Sequence, residues 1–176
     1  MLEKRKGMTM GKTRSGNEHH ITQICVVVRD LDRSMREYTE RLGWGPWNVY
    51  EHKAPILHDT YLRNEPGNFT MIAAETKVGN IGYELIQPVS GDSIYQEFLD
   101  RHGEGVQHIA IMKHSPEESE EFINDVGATK VMGGKIDDID FYYLDTADAF
   151  GVTVESGTGH AIDLKPVRVY DGEREE

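Results

Sequence analysis

The sequence predicts an α+β fold in which two βαβββ modules form one curled mixed sheet around a cleft. Three observations predict it. A β-branched apolar run at Ile21–Val28 leads into a helical repeat that stops at Gly43. The same pattern restarts at Val106 and its helix stops at Gly127. Each half then closes on a β-prone segment that carries one lone carboxylate, Glu84 or Glu155.

Residues 1–18 hold Lys4, Arg5, Lys6, Lys12 and Arg14 among glycines and show no periodicity, which reads as a flexible basic leader outside the fold. The first module spans 19–88. Its opening strand ends at Arg29-Asp30, where Asp30 or Asp32 is placed to cap a helix. Leu31, Met35, Tyr38 and Leu42 recur at three- and four-residue spacing, so a helix over about 32–42 follows, with Gly43 at its stop. Short β-prone pieces come next, at Trp47–Tyr50, Thr60–Leu62, Phe69–Ala74 and Ile81–Ile86, separated by Gly, Pro and Asn.

A connection over 89–105 places Ile94, Tyr95, Phe98 and Leu99 on one face of a short amphipathic helix. The second module, 106–160, opens on Val106–Met112, continues with a helix introduced by Pro116 and closed by Gly127, and ends with strands at Thr129–Met132, Asp140–Leu144 and Gly151–Ser156. Residues 161–176 form a C-terminal extension. A duplicated module is the simplest account of this repetition.

Composition limits the partners. The net charge is −12 although the leader is basic, so the body is more acidic still. Such a surface repels phosphate backbones and anionic membranes, which disfavours nucleic acid and lipid and favours a small-molecule substrate. Cys25 is the single cysteine, and it lies in an apolar run, so no disulfide framework and no cysteine zinc site is expected and a reducing cytoplasm fits. No apolar run of about 18 residues occurs, so no membrane span is expected. Tyr38, Trp44, Tyr95 and Phe98 are more aromatic surface than one small domain readily hides, which points to a homodimer.

Side chains alternate faces along a strand, so each carboxylate can be placed against its neighbours. Glu84 shares its face with Gly82 and Ile86, and Glu155 shares its face with Gly151 and Thr153. His108 lies with Ala110 and Met112 while Ile109 and Ile111 pack behind. His20-Ile21 opens the first strand as His108-Ile109 opens its counterpart, which favours His20 over its neighbour His19. Two sheets curled together would bring His20, Glu84, His108 and Glu155 around one cavity. Two imidazoles and two carboxylates suit one divalent metal ion, with Zn, Co, Mn, Ni and Fe all compatible.

His20-Ile21 with Val28-Arg-Asp-Leu-Asp-Arg-Ser34 and Tyr38…Leu42-Gly43 resembles the opening of the vicinal oxygen chelate superfamily, which includes glyoxalase I, methylmalonyl-CoA epimerase, extradiol dioxygenases and antibiotic-resistance binding proteins. Tyr83-Glu-Leu-Ile-Gln-Pro88 and Phe98-Leu-Asp-Arg-His-Gly-Glu-Gly-Val-Gln-His-Ile109 look like its epimerase branch, and the resemblance covers about 19–157. It implies metal ligands at the same four positions. It further implies a metal-dependent enzyme, epimerase-, isomerase- or glyoxalase-type lyase-like, that enolises a small carbonyl or acyl-thioester substrate, with Glu155 and Glu84 as candidate bases. Asp137, Asp138 and Asp140 depart from the basic groups a CoA tail would want. The alternatives are a non-catalytic small-molecule binding or resistance protein on the same scaffold and an extradiol-type dioxygenase, the latter opposed by the second carboxylate.

Other residues have simpler readings. Trp44-Gly-Pro-Trp47 is as well suited to turn packing as to a pocket wall, and Glu117–Glu121 to a solvated helix face. His52, His58, His102, His114 and His160 fall in loops or segment ends, where surface histidine is the ordinary expectation.

Overall fold

The computed structural model describes residues 19–158 and 164–172. The expected leader lies outside the described residues, as do His160 and part of the C-terminal extension. The first module is β1 (Gln23–Val27), α1 (Leu31–Leu42), β2 (Trp47–His52), β3 (Leu57–Leu62), the two-residue β4 (Glu65–Pro66), β5 (Thr70–Val78) and β6 (Ile81–Ser90). α2 (Ile94–His102) connects it to β7 (Gly105–Ala110), α3 (Pro116–Val126), β8 (Lys130–Ile136), β9 (Ile139–Leu144), the short α4 (Ala147–Phe150) and β10 (Thr153–Thr158). β11 (Arg168–Tyr170) follows.

Local chemistry sets the helix ends. Asp30 is the cap of α1, its side chain accepting from the Arg33 N–H at 2.9 Å, and Gly43 ends the helix at φ 68°, a left-handed backbone that glycine adopts without a Cβ clash. Ser115 caps α3 ahead of Pro116, and Gly127 closes it in the same conformation.

All strands join one sheet, in the order β11-β2-β5-β6-β1-β7-β10-β9-β8-β3-β4. The two modules meet edge to edge through the antiparallel β1–β7 pair. Within each module the last strand lies parallel to the first, β6 on β1 and β10 on β7. The sheet curls. α1 covers its outer face over the first module, where Leu31 and Met35 pack with Val26, Val28, Trp47 and Leu85. α3 does the same over the second, where Phe122 packs with Tyr142, Leu144 and Val154. The inner face is filled by Cys25, Val27, Met71, Ala73, Ile86, Phe141 and Tyr143, closed from one end by Ile94, Tyr95 and Leu99 of α2.

Three sequence expectations change here. The first strand starts at Gln23, two residues later than expected, after Thr22 has already bonded through its N–H to Ala110. β3 pairs within its own module only with the two-residue β4, and its other edge crosses to the outer strand of the second module, β8. Of the four aromatic residues taken as surface, Tyr95 is fully buried, while Phe98, against the inner core, and Tyr38 and Trp44, stacked beside Trp47 and Tyr83, are half-buried.

Candidate metal centre

The strand registers lay two rows of side chains across the inner face. One row runs Glu75, Glu84, Cys25, His108, Thr153, and the next runs Lys77, Gly82, Gln23, Ala110, Glu155, Tyr143. Glu84, His108 and Glu155 thus come together from three strands. His108 is fully buried, Glu84 is 7% exposed, and both carboxylates line a cavity of about 560 Å³ whose wall includes Gln23, His52, Glu75 and Tyr143.

The contacts are those of donors aimed at a shared space. His108 Nε2 lies 2.9 Å from Glu155 Oε2 and 3.6 Å from Glu84 Oε2. Yet His108 Nε2 and Glu155 Oε2 are buried and without a hydrogen-bond partner, since the approach is too oblique for a bond. Leaving such atoms unmatched costs about 1–3 kcal/mol each, more when charged. A cation between them removes that cost, and an imidazole with two carboxylates is a normal donor set for a divalent ion. The residues present therefore fit a metal.

His108 is held for this role from behind. Gln107, itself buried, donates its amide N–H to Thr153 Oγ1 at 3.3 Å, which turns its Oε1 toward His108 Nδ1 at 2.7 Å. With one proton held on Nδ1, Nε2 faces the cavity, where a bound cation would take the place of its second proton. The ring edge also packs against Tyr143, centroids 4.9 Å apart, and Tyr143 shares a 2.6 Å hydroxyl contact with Tyr95.

The electrostatics reflect crowded negative charge. Burial disfavours a charged His108, but Glu155 and Glu84 outweigh it and hold the imidazole up at about 9. Burial, then the charges of Glu84 and Glu155, push the neighbouring Glu75 carboxyl up to about 8. Burial pushes the Cys25 thiol up and pulls His52 down to about 4, the latter against an opposing pull from Glu155.

Of the four residues expected to meet, the structure assembles three. His20 is not brought to them: it is exposed and precedes β1, because the strand takes up its register only at Gln23. His19 is exposed too, and the Lys113 ammonium donates to its Nδ1 at 2.7 Å. Gln23, Cys25, Glu75, His52 and Gln107 were missed as site residues. Face alternation signals Gln23 and Cys25 once the strand start is known, and Glu75 shares its face with the small Ala73. His52 was read as surface but is 5% exposed at the end of β2, with its ring in the cavity wall. Trp44 and Trp47 serve packing around α1 rather than the cavity.

Fold and strand pairing define the paired βαβββ class, two modules joined by their first strands into a sheet curled around a buried polar centre. The chain belongs to the Glyoxalase/Bleomycin resistance protein/Dioxygenase superfamily, whose family model matches residues 22–143. No curated protein matches it in sequence. Among solved structures it is similar to a hypothetical protein, BH1468, from Bacillus halodurans C-125, at 20% identity and a TM-score of 0.58, covering 84% of this chain and 99% of that one. It is also similar to methylmalonyl-CoA epimerase from Mycobacterium tuberculosis, at 20% identity and a TM-score of 0.55, covering 80% and 87%. The Streptomyces coelicolor methylmalonyl-CoA epimerase in complex with 2-nitronate-propionyl-CoA is similar at 23% identity and 0.55, covering 82% and 96%. At these identities the likeness establishes the fold. Among the described residues no helix is long and apolar enough to cross a membrane.

Proposed function

We propose that this chain is an isomerase-like enzyme that moves a proton on a carbon beside a carbonyl of a small substrate, with Glu84, His108 and Glu155 holding one divalent ion. The observation that carries the reading is the pair of buried atoms His108 Nε2 and Glu155 Oε2, 2.9 Å apart and each without a hydrogen-bond partner, beside a cavity large enough for a small molecule. Once bound, such an ion supplies Lewis acidity where negative charge develops on a carbonyl oxygen.

The chain's own groups supply the rest. Glu155 or Glu84 accepts the proton from carbon at a carboxylate oxygen and returns it. Glu75 stands beside them, its carboxyl held up by burial and by the charges of Glu84 and Glu155. His108 stays oriented through Gln107 and Thr153.

The cavity lining bears on substrate. Ile136 and Ile139 line it, and the turn between them is Asp137-Asp138. An acidic turn there disfavours a polyphosphate tail and favours a compact carbonyl compound over a CoA ester.

The test is solvent-deuterium exchange at the carbon next to the carbonyl, screened over 2-substituted acyl thioesters, 2-oxo acids and hemithioacetals with metal-supplemented protein. Wild type is expected to exchange one of these, and Glu155→Gln to do so about 10²-fold more slowly, as for loss of a general base. Tight binding by both with no exchange by either would replace the enzyme reading by a sequestering one.

A further inference from the structure

The cavity beside Glu84 and Glu155 has two chemically different walls. From the first module, Tyr50 and His52 stand two residues apart on one face of β2, their rings stacked with centroids 6.2 Å apart. From the second, Ile136 pairs with Ile139 at the β8–β9 hairpin, and Phe141 and Tyr143 continue the face of Ile139 along β9 until Tyr143 stands opposite Glu155. One wall is therefore polar, and the other is a largely apolar stripe that ends at a carboxylate.

Charge in the cavity is one-sided. Among the described residues of its lining the acids are Glu75, Glu84 and Glu155, and none is Lys or Arg. A divalent ion offsets Glu84 and Glu155, and the acids that remain are Glu75 inside and Asp137-Asp138 in the turn beyond Ile136. A carboxylate or phosphate carried in by a substrate would then be buried with no cationic side chain to meet it, which costs far more than burying a neutral polar group. A hydroxyl fares differently. His52 is 5% exposed, and its Nδ1 is buried without a hydrogen-bond partner. Burial holds this imidazole uncharged at neutral pH, and a hydroxyl can both donate to a neutral imidazole and accept from it.

We propose that the substrate is an uncharged carbonyl compound that carries a hydroxyl and an apolar body, and that His52 is the residue that selects it. The inference rests on the proposed function above and narrows its substrate class: 2-oxo acids fall outside it, as do acyl thioesters and hemithioacetals whose remaining parts are charged. The carbonyl lies at the Glu84–Glu155 end, the body runs along Ile136, Ile139 and Phe141, and the hydroxyl meets His52. Such a ligand matches each wall in turn. It buries apolar surface on the second module, gives the His52 imidazole a partner on the first, and brings no charge.

The experiment is calorimetric titration of the full chain, loaded with Zn²⁺ and with its metal content measured, against two ligands on one frame, hydroxymethyl benzyl ketone and phenylpyruvate. They share the ketone and the phenyl group and differ in carrying a hydroxymethyl or a carboxylate beside the carbonyl. Wild type should bind the hydroxy ketone at least about tenfold more tightly. His52→Phe keeps a ring in the wall and should weaken the hydroxy ketone about tenfold while leaving phenylpyruvate within about twofold. Ile139→Lys supplies a cation and should tighten phenylpyruvate about tenfold, removing or reversing the preference. Equal or tighter binding of phenylpyruvate by wild type overturns the inference, as does a metal-loaded protein that binds neither ligand. An equal loss of both ligands in His52→Phe overturns the selecting role of His52, and the wild-type comparison decides alone if a variant does not fold. If the protein retains no divalent ion, the proposed function falls and takes the inference with it. If it retains the ion and prefers the anion, only the inference falls.

Discussion

Replacing Gln107 by Leu separates positioning from ligation, because Gln107 sits behind His108 and reaches the cavity only through it. The side chain is 4% exposed and makes two contacts, 2.7 Å to His108 Nδ1 and 3.3 Å to Thr153 Oγ1. Leucine preserves the volume but leaves the Nδ1–H of a fully buried imidazole without an acceptor, a loss of about 1–3 kcal/mol. The ring is then free to turn Nε2 away from Glu84 and Glu155. Losing such an outer partner lowers metal affinity by about 10–100-fold, and a tenfold change is about 1.4 kcal/mol, so the two figures describe one effect. The assay is competition for the ion against a chelating dye, alongside urea unfolding with and without metal. Metal affinity within twofold of wild type, with an unchanged urea midpoint, would refute the role given to Gln107.

Three further outcomes are expected. His108→Ala should leave far less than one ion bound per chain after dialysis, measured by elemental analysis, because the remnant carboxylates lose the imidazole beside them. His52 stays neutral in the folded chain down to about pH 4 but takes a proton near 6.5 once unfolded. Its stabilising contribution is therefore present above about pH 6.5 and is lost as pH falls toward 4, by up to about 3 kcal/mol, and urea midpoints of His52→Phe should show a weaker pH slope across that window. Trp47 is fully buried, donates its Nε1–H to Thr39 Oγ1 at 3.0 Å and packs edge-on to Tyr38 at 6.0 Å. Trp47→Ala should cost about 3–5 kcal/mol, read from the shift in urea midpoint.

The sequence by itself determined what is local and periodic. Asp30, Gly43, Pro116 and Gly127 mark helix ends through their own backbone chemistry, and the restart of the pattern at Val106 announces the second module. Face alternation places Glu84, His108 and Glu155 opposite the residues that pack under α1 and α3, because a strand's pleat alone separates those faces. Tertiary structure decided what depends on register. A shift of one residue reverses every side chain of a strand, and nothing local says that β1 takes up its pairing at Gln23, so His20 looked like the partner of His108 while Gln23 and Cys25 went unnoticed. The pairing of β3 with β8, the placing of His52 and Glu75 in one cavity wall with Glu155, and the Gln107–Thr153 brace on His108 all join segments far apart in the chain. Such contacts form only when the curl of the whole sheet brings them together, and no short window of residues contains that information.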